Sequence, residues 1–286
     1  MSLRTTLGRA RQRVHCALYR QPFALEDRGP IISFSFDDFP RTAYTHGAPI
    51  LEAHGVRGTY YVAMSLMNTS NELGEQFRRD DLDALLQRGH ELASHTLHHV
   101  SGRALSCAAF CQEVEDGRQA IRQATGADPL NFAYPFGAVT LQTKRALRFG
   151  PTPNGLSSAR GIIPGLNGPE LDLNLLRANS LYGGLGSASR AKNQAKNQAK
   201  KMIAENILRK TWLIFYTHDV QPNPSPYGCT PDLLEAVVEE AVQSGARVLT
   251  VQEALAEVEV QKRSLKTEPT RANSPDLAEQ PAASRK

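Results

Sequence analysis

Hydrophobic and polar positions divide the chain into alternating strand-like and helix-like stretches. Ile31 to Phe36 carries no charge and ends on two adjacent carboxylates, Asp37 and Asp38, ahead of Phe39 and Pro40. Such a run reads as a buried strand, and Pro40 cannot continue a ladder. Ala43, Gly47, Ile50, Leu51 and His54 recur at helical spacing, with Gly55 as the stop. Val56 to Met64 is rich in β-formers, so strand, helix and strand fill about thirty residues, the length of a βαβ unit. Asn68 to Gln76 is polar and reads as loop. Asp80 to Arg88 reads as a helix with Leu82, Leu85 and Leu86 inward, ended by Gly89. His90 to Ala93 reads as a third strand.

Ser106 is placed to cap a helix from Cys107 to Thr125 that ends at Gly126. Leu130 to Tyr134 is a further strand, broken by Pro135 and Gly137, and Leu141 to Phe149 is helical. Pro151 to Pro169 reads as loop with a short strand near Gly155–Ala159, and Arg177 to Tyr182 as another strand. Ala188 to Leu208 is a long polar helix. It holds a four-residue repeat, Ala191-Lys192-Asn193-Gln194 followed by Ala195-Lys196-Asn197-Gln198 and Ala199-Lys200-Lys201. That period stacks the lysines on one helical face, read as a solvated face, with polyanion contact as the alternative. Thr211 to Thr217 is a strongly buried strand ending in His218-Asp219. Pro231 to Ser244 is a helix with proline near its start, Arg247 to Thr250 a last strand, and Val251 to Val260 a last helix. Strands alternating with helices predict a parallel α/β sheet or barrel with its site at the C-terminal strand ends.

Composition narrows this. The chain has 286 residues, 41% hydrophobic and 22% charged, which suits one soluble α/β domain. The expected division is a basic N-terminal arm at 1–29, a catalytic domain at 30–260 and a disordered tail at 261–286. No apolar run reaches the roughly 18 residues of a membrane span. The arm carries Arg4, Arg9, Arg11, Arg13 and Arg20 and lacks a signal-peptide core. We therefore expect a cytoplasmic protein, with a solvated arm as the plain reading and peripheral contact with an anionic membrane as the other. A net charge of +4 without a nucleic-acid motif argues against nucleic-acid binding. Cys16, Cys107, Cys111 and Cys229 are expected as reduced thiols.

Candidate chemistry collects at three strand ends. Adjacent residues of a strand face opposite ways, so Asp37 and Asp38 can do different work, one on a cation and one on protons. His95 and His99 are four apart. On one helical turn that spacing puts both imidazoles on one face, where they can share a cation. Two histidines and a carboxylate with open positions describe a catalytic metal site. A competing reading joins His95, His99, Cys107 and Cys111 in a structural zinc site, although both cysteines fall at core positions of a periodic helix. The third strand end carries His218.

In order along the chain, Ser35-Phe36-Asp37-Asp38, Gly89-His90-Glu91 through His95-Thr96-Leu97-His98-His99, Phe132-Ala133-Tyr134-Pro135-Phe136-Gly137 and Phe215-Tyr216-Thr217-His218-Asp219 resemble the motifs of the metal-dependent polysaccharide deacetylases. These form carbohydrate esterase family 4, with the NodB-homology domain. The resemblance runs from about Ile31 to Glu257. It implies a distorted (β/α) barrel of about seven parallel strands in a single domain. It further implies Asp38, His95 and His99 as metal ligands, Asp37 as general base, His218 as general acid, and Phe136 (backbone N–H) with Tyr134 at the oxyanion and substrate. The implied metal is zinc, with cobalt, nickel or manganese as alternatives. The implied reaction is hydrolysis of a carbon–nitrogen amide bond, removing an N-acyl group, N-acetyl first, from an amino sugar of a glycan, glycolipid or sugar conjugate. Deformylation of a formamido sugar, amide hydrolysis on a cyclic non-sugar substrate, and a catalytically silent carbohydrate-binding protein are the alternatives.

The sequence departs from the family pattern at Phe39, where glycine is usual, and at Ala133, where an arginine usually orients the base. The fourth motif is not recognisable. Arg160 could supply the missing guanidinium. These departures resemble the branch acting on N-acylated sugars in surface-glycan pathways.

Overall fold

The computed structural model describes residues 14, 17–25, 29–147, 156–183 and 188–257. Most of the expected arm and the whole of the expected tail lie outside these residues, as does Cys16. The main sheet is formed by β1 (Ile31–Asp37), β2 (Thr59–Val62), β3 (Glu91–Ser94), β4 (Asn131–Ala133), β5 (Ser158–Arg160), β6 (Asn179–Ser180), β7 (Trp212–Thr217) and β8 (Arg247–Val248). Seven strands follow one another in the order β6-β7-β1-β2-β3-β4-β5, all parallel, and curl into an open (β/α) barrel. β8 lies against the start of β1, pairing Arg247 with Ile31 and Val248 with Ile32. β1 is central: β7 pairs with it from Trp212↔Ile31 to Thr217↔Phe36.

The helices are α1 (Ala48–Ala53), α2 (Arg79–Gln87), α3 (Cys107–Thr125), α4 (Leu141–Ala146), α5 (Ala188–Arg209) and α6 (Pro231–Gln243), and residues 251–257 are also helical. None of the described helices is long and apolar enough to cross a membrane. Strand alternation sorts the core. Ile32, Phe34 and Phe36 of β1 face the helices, packing in one cluster with Leu213, Phe215, Leu233 and Val237. Ile31 faces the barrel interior with Trp212, Ile214 and Tyr216. Ser33 shares that side and accepts the Trp212 indole N–H at 2.9 Å. Asp37 continues the same inward series.

Three local features depart from the expected elements. Ala43–Gly47 is a π-helical turn before α1, where Pro49 supplies no backbone N–H to an α-helical ladder. Ser70–Asn71 and Gly74–Glu75 form a small antiparallel ribbon in the expected loop. Pro22–Ala24, placed by sequence in the arm, pairs with Glu170–Asp172, and Leu25 is buried. The folded unit therefore starts before residue 30.

Candidate active site

In a parallel sheet the C-terminal strand ends share one edge. Asp37 ends β1, His95 follows β3, Phe136 lies just beyond β4, Arg160 ends β5 and His218 follows β7. Asp38, His95 and His99 offer ligand atoms that all lie within 4.8 Å of one another, the one such group among the described residues. His95 Nε2 is 3.3 Å and His99 Nε2 3.0 Å from Asp38 Oδ1.

The donor set fits a cation. His95 Nδ1 lies 2.8 Å from the Ala133 carbonyl, which can only accept, so Nδ1 carries the proton and Nε2 of the neutral ring presents a lone pair. That lone pair faces Asp38 Oδ1, which is buried and lacks a hydrogen-bond partner. Acceptor facing acceptor in a dry site is unfavourable unless a cation stands between them. Burial acts to raise the Asp38 pKa; the carboxyl falls well below its usual range when positive charge stands beside it, from protonated His95 and His99 or from a cation in their place.

The backbone that makes this cluster is left-handed at several non-glycine residues: Asp38 (φ 61°), Phe39 (φ 65°), Thr96 (φ 64°) and His99 (φ 51°). Such residues cost of order 1–3 kcal/mol each in the least favourable cases and collect at functional sites. Phe39 offsets its own cost by packing. Its ring is fully buried, stacked on Phe77 at 5.0 Å and tilted against Tyr60 at 5.0 Å. His95 and His99 are not on a helical turn, as their spacing suggests. They flank a tight loop in which Val100 N–H donates to Thr96 Oγ1 at 3.1 Å and Leu97 N–H to the Glu113 carbonyl of α3 at 3.0 Å. His98 turns away and pairs with Glu113 at 2.8 Å.

Asp37 is held by Arg160 through a short, buried ion pair. Ala133 and Arg160 are register partners on adjacent strands, so the guanidinium enters the interior from the strand beside the usual one. Ala133 and Ala93, packed with Tyr61, leave room for it. The guanidinium lies 4.5 Å from the Tyr61 ring centroid and 5.1 Å from that of Tyr216, and Nη1 donates to the Gly161 carbonyl at 3.0 Å. Burial opposes its charge, but Asp37 beside it outweighs that and raises its pKa.

His218 Nε2 is 3.9 Å from Asp38 Oδ2, and its Nδ1 lies 3.2 Å from the Tyr227 carbonyl. The carbonyl accepts, so Nδ1–H donates and Nε2 faces the site. Asp219 is fully buried and does not join the site. It accepts from Gln221 Nε2 at 2.9 Å and Ser225 N–H at 2.8 Å, bracing the loop that carries Tyr227. A side chain at Gly228 would collide with it.

The Phe136 ring is 64% exposed and packs 4.5 Å from the His99 ring, on a backbone with φ 58°. Tyr134 is a correction. Its side chain is buried against Phe110 and Phe132, because strand alternation sends Phe132 and Tyr134 toward α3 and leaves Ala133 inward. Only its backbone serves the site, accepting from Gly137 N–H at 2.9 Å to close the turn under Phe136. The four-ligand zinc reading also fails among the described residues. Cys107 and Cys111 are not gathered with the histidines. Burial, with Cys107 beside it, pushes the Cys111 thiol up to about 11.

Sequence reasoning missed the aromatic side chains around His218. Tyr182, Tyr216 and Tyr227 lie 6.0, 6.4 and 5.9 Å from its ring. Period-two alternation of Trp212, Ile214 and Tyr216 was the available signal for Tyr216.

The structure thus combines an open parallel (β/α) barrel with an Asp-His-His cluster at its C-terminal edge. Residues 25–151 match the family model described as polysaccharide deacetylase. No curated protein matches the sequence. Among solved structures, the Xyl-CE4 domain of a multidomain xylanase from the hindgut metagenome of Trinervitermes trinervoides is similar at 22% identity, with 80% of this chain and 91% of that chain covered and a TM-score of 0.56. The chitin deacetylase of Colletotrichum lindemuthianum is similar at 18% identity, covering 79% and 88%, with a TM-score of 0.57. A family 4 acetyl xylan esterase from Clostridium thermocellum, in complex with a cobalt ion, is similar at 18% identity, covering 79% and 91%, with a TM-score of 0.52. Over residues 25–151 the chain is similar to the polysaccharide deacetylases, and its fold is that of the carbohydrate esterase structures above.

Proposed function

We propose that this chain is a metal-dependent hydrolase that removes an N-acyl group, N-acetyl first, from an amino sugar of a glycan or sugar conjugate. The observation that carries the reading is the convergence of Asp38, His95 and His99 on one point beside the Arg160-held Asp37. Those three residues would hold the ion. Zinc suits two imidazoles and a carboxylate with open positions, and the cobalt-bound acetyl xylan esterase supports a divalent ion on this fold. When bound, a divalent cation lowers the pKa of a coordinated water and polarises an acyl carbonyl.

The chain's own residues do the remainder. Asp37 takes the proton of the attacking water, its carboxylate aimed by Arg160. The Phe136 backbone N–H is the candidate donor to the oxygen on which charge develops. His218 Nε2, turned inward by the Nδ1–H bond to Tyr227, delivers a proton to the leaving sugar amine. Without that proton the amine is a very poor leaving group.

The test is a panel of N-acetylated and N-formylated sugar conjugates given to metal-loaded protein, with released acetate or formate assayed beside Asp37→Asn. Acetate release lost in Asp37→Asn is expected. Formate release alone would shift the reading to a deformylase. No release from any conjugate would favour the silent carbohydrate-binding protein on this fold.

A further inference from the structure

Nδ1 of His218 meets a backbone carbonyl, not a carboxylate. It donates to the Tyr227 carbonyl at 3.2 Å, and the His218 backbone N–H reaches the same oxygen at 3.2 Å. Thr217 Oγ1 donates to it at 3.4 Å. Three donors from the end of β7 thus converge on one carbonyl of the loop between Asp219 and Cys229. A ring nitrogen that donates to a fixed acceptor settles both the tautomer and the direction of the other nitrogen. The aim of Nε2 therefore depends on where that carbonyl is held.

Asp219 holds it through Ser225. The Asp219 carboxylate is fully buried and accepts the Ser225 hydroxyl at 2.5 Å, along with the Ser225 N–H at 2.8 Å and Gln221 Nε2 at 2.9 Å. With its proton committed to the carboxylate, Ser225 Oγ accepts from the Tyr227 N–H at 3.1 Å. The neck of the loop is closed by the Cys229 N–H on the Asp219 carbonyl at 2.9 Å and the Gln221 N–H on the Cys229 carbonyl at 3.1 Å. Pro222, Pro224 and Pro226 fix φ at three positions around Ser225. Tyr227 is 51% exposed, so the loop secures its backbone and not its ring. A chain of hydrogen bonds runs from a buried carboxylate, through Ser225 and the Tyr227 backbone, to the imidazole that faces the site.

We propose that Ser225 is a positioning residue for His218: it carries the fixed position of the Asp219 carboxylate to the Tyr227 carbonyl and so keeps Nε2 turned toward the leaving amine. The place of that step in the reaction rests on the N-deacylase reading. Without the Ser225 hydroxyl, the Tyr227 N–H and one Asp219 oxygen lose their partner. The carbonyl is then free to move, and the ring is free to take its other tautomer. The consequence is selective. An amide expels its amine only when a proton is delivered, whereas a para-nitrophenyl ester expels a stable phenolate without one. Loss of aim is felt in the first reaction and not in the second. A residue that only braced the fold would weaken both alike.

The test pairs spectroscopy with turnover on zinc-loaded full-length protein, as wild type, Ser225→Ala and Ser225→Thr. Ser225 is half-buried in a surface loop, so its change spares the core. Ring nitrogen chemical shifts of His218, recorded in alkaline solution where the imidazole is neutral, are expected to show the Nδ1–H tautomer in wild type and Ser225→Thr. Ser225→Ala is expected to show a mixture with the Nε2–H tautomer. The ratio of kcat on an N-acetylglucosamine conjugate to kcat on para-nitrophenyl acetate is expected to fall about tenfold in Ser225→Ala, the order of one hydrogen bond to a charged group, and to return in Ser225→Thr. An unchanged tautomer, or an unchanged ratio in protein that does release acetate from the conjugate, overturns the role of Ser225 and leaves the deacylase intact. A changed tautomer in Ser225→Ala, with no acetate released from any sugar conjugate by wild type, keeps the positioning and overturns the deacylase.

Discussion

Arg160 is the residue on which the aim of Asp37 depends. It is 1% exposed and crosses from β5 to the tip of β1 between two tyrosine rings. Arg160→Met keeps volume and removes the charge. We expect kcat to fall about 100-fold with little change in KM, because misplacing a reacting group costs on that order. The buried Asp37 left behind should also cost about 3–5 kcal/mol of stability, read by denaturant unfolding. Unchanged kcat in a folded variant would remove Arg160 from the site. Phe39 makes a second residue-level case. Phe39→Gly relieves a left-handed φ of 65° but empties a stacked, fully buried position. Packing loss of about 3–5 kcal/mol outweighs relief of about 1, so net destabilisation is expected despite the family's preference for glycine. The two acids and His218 were legible at the ends of the uncharged runs Ile31–Phe36 and Thr211–Thr217, the histidine pair by its four-residue spacing, and their roles by the family resemblance. Arg160 was legible only from its sequence position near an expected strand end. Tyr182 and Tyr227 were not legible, since an aromatic near a strand end looks the same in sequence whether it fills core or lines a site.

At the scale of elements, α3 sets the histidine loop. A Cβ at Gly117 would stand 2.5 Å from the Thr96 carbonyl carbon and 2.7 Å from Leu97 N, the backbone between the two ligands. Gly117→Ala would ordinarily gain about 1 kcal/mol of helix propensity. Here we expect lower stability and weakened divalent-metal affinity, measured by competition with a chromophoric chelator. Retained affinity with raised stability would show that the loop does not depend on this contact. Helix ends were well marked in sequence: Ser106 caps α3 through the Ala109 N–H at 3.2 Å, and Gly126 ends it at φ 74°. The histidine loop was misread as a helical turn. Its left-handed residues, Thr96 and His99, carry no glycine to announce them. The α5 repeat was legible as periodic, but which stripe meets α6 depends on tertiary packing.

At the scale of the whole molecule, five segments distant in sequence must arrive at one sheet edge, and the parallel βα order does that. The count of about seven strands came from the family resemblance, whereas that parallel order was readable from alternating apolar runs and helical periods. The pairing of Pro22–Ala24 with Glu170–Asp172 was not, because nothing local in three residues specifies a partner about 150 residues away. A ligand that binds only the folded barrel stabilises it. Zinc at about 100 times its Kd should add about 2.7 kcal/mol, raising Tm by roughly 5–10 °C. His95→Ala should abolish the shift. The most direct test of the account titrates metal-free protein with zinc while acetate release from an N-acetylated sugar substrate is followed. The rate should rise in proportion and saturate at one equivalent per chain, and Asp38→Ala should stay inactive throughout. Full activity in the presence of excess chelator, or a rate independent of added metal, would contradict it.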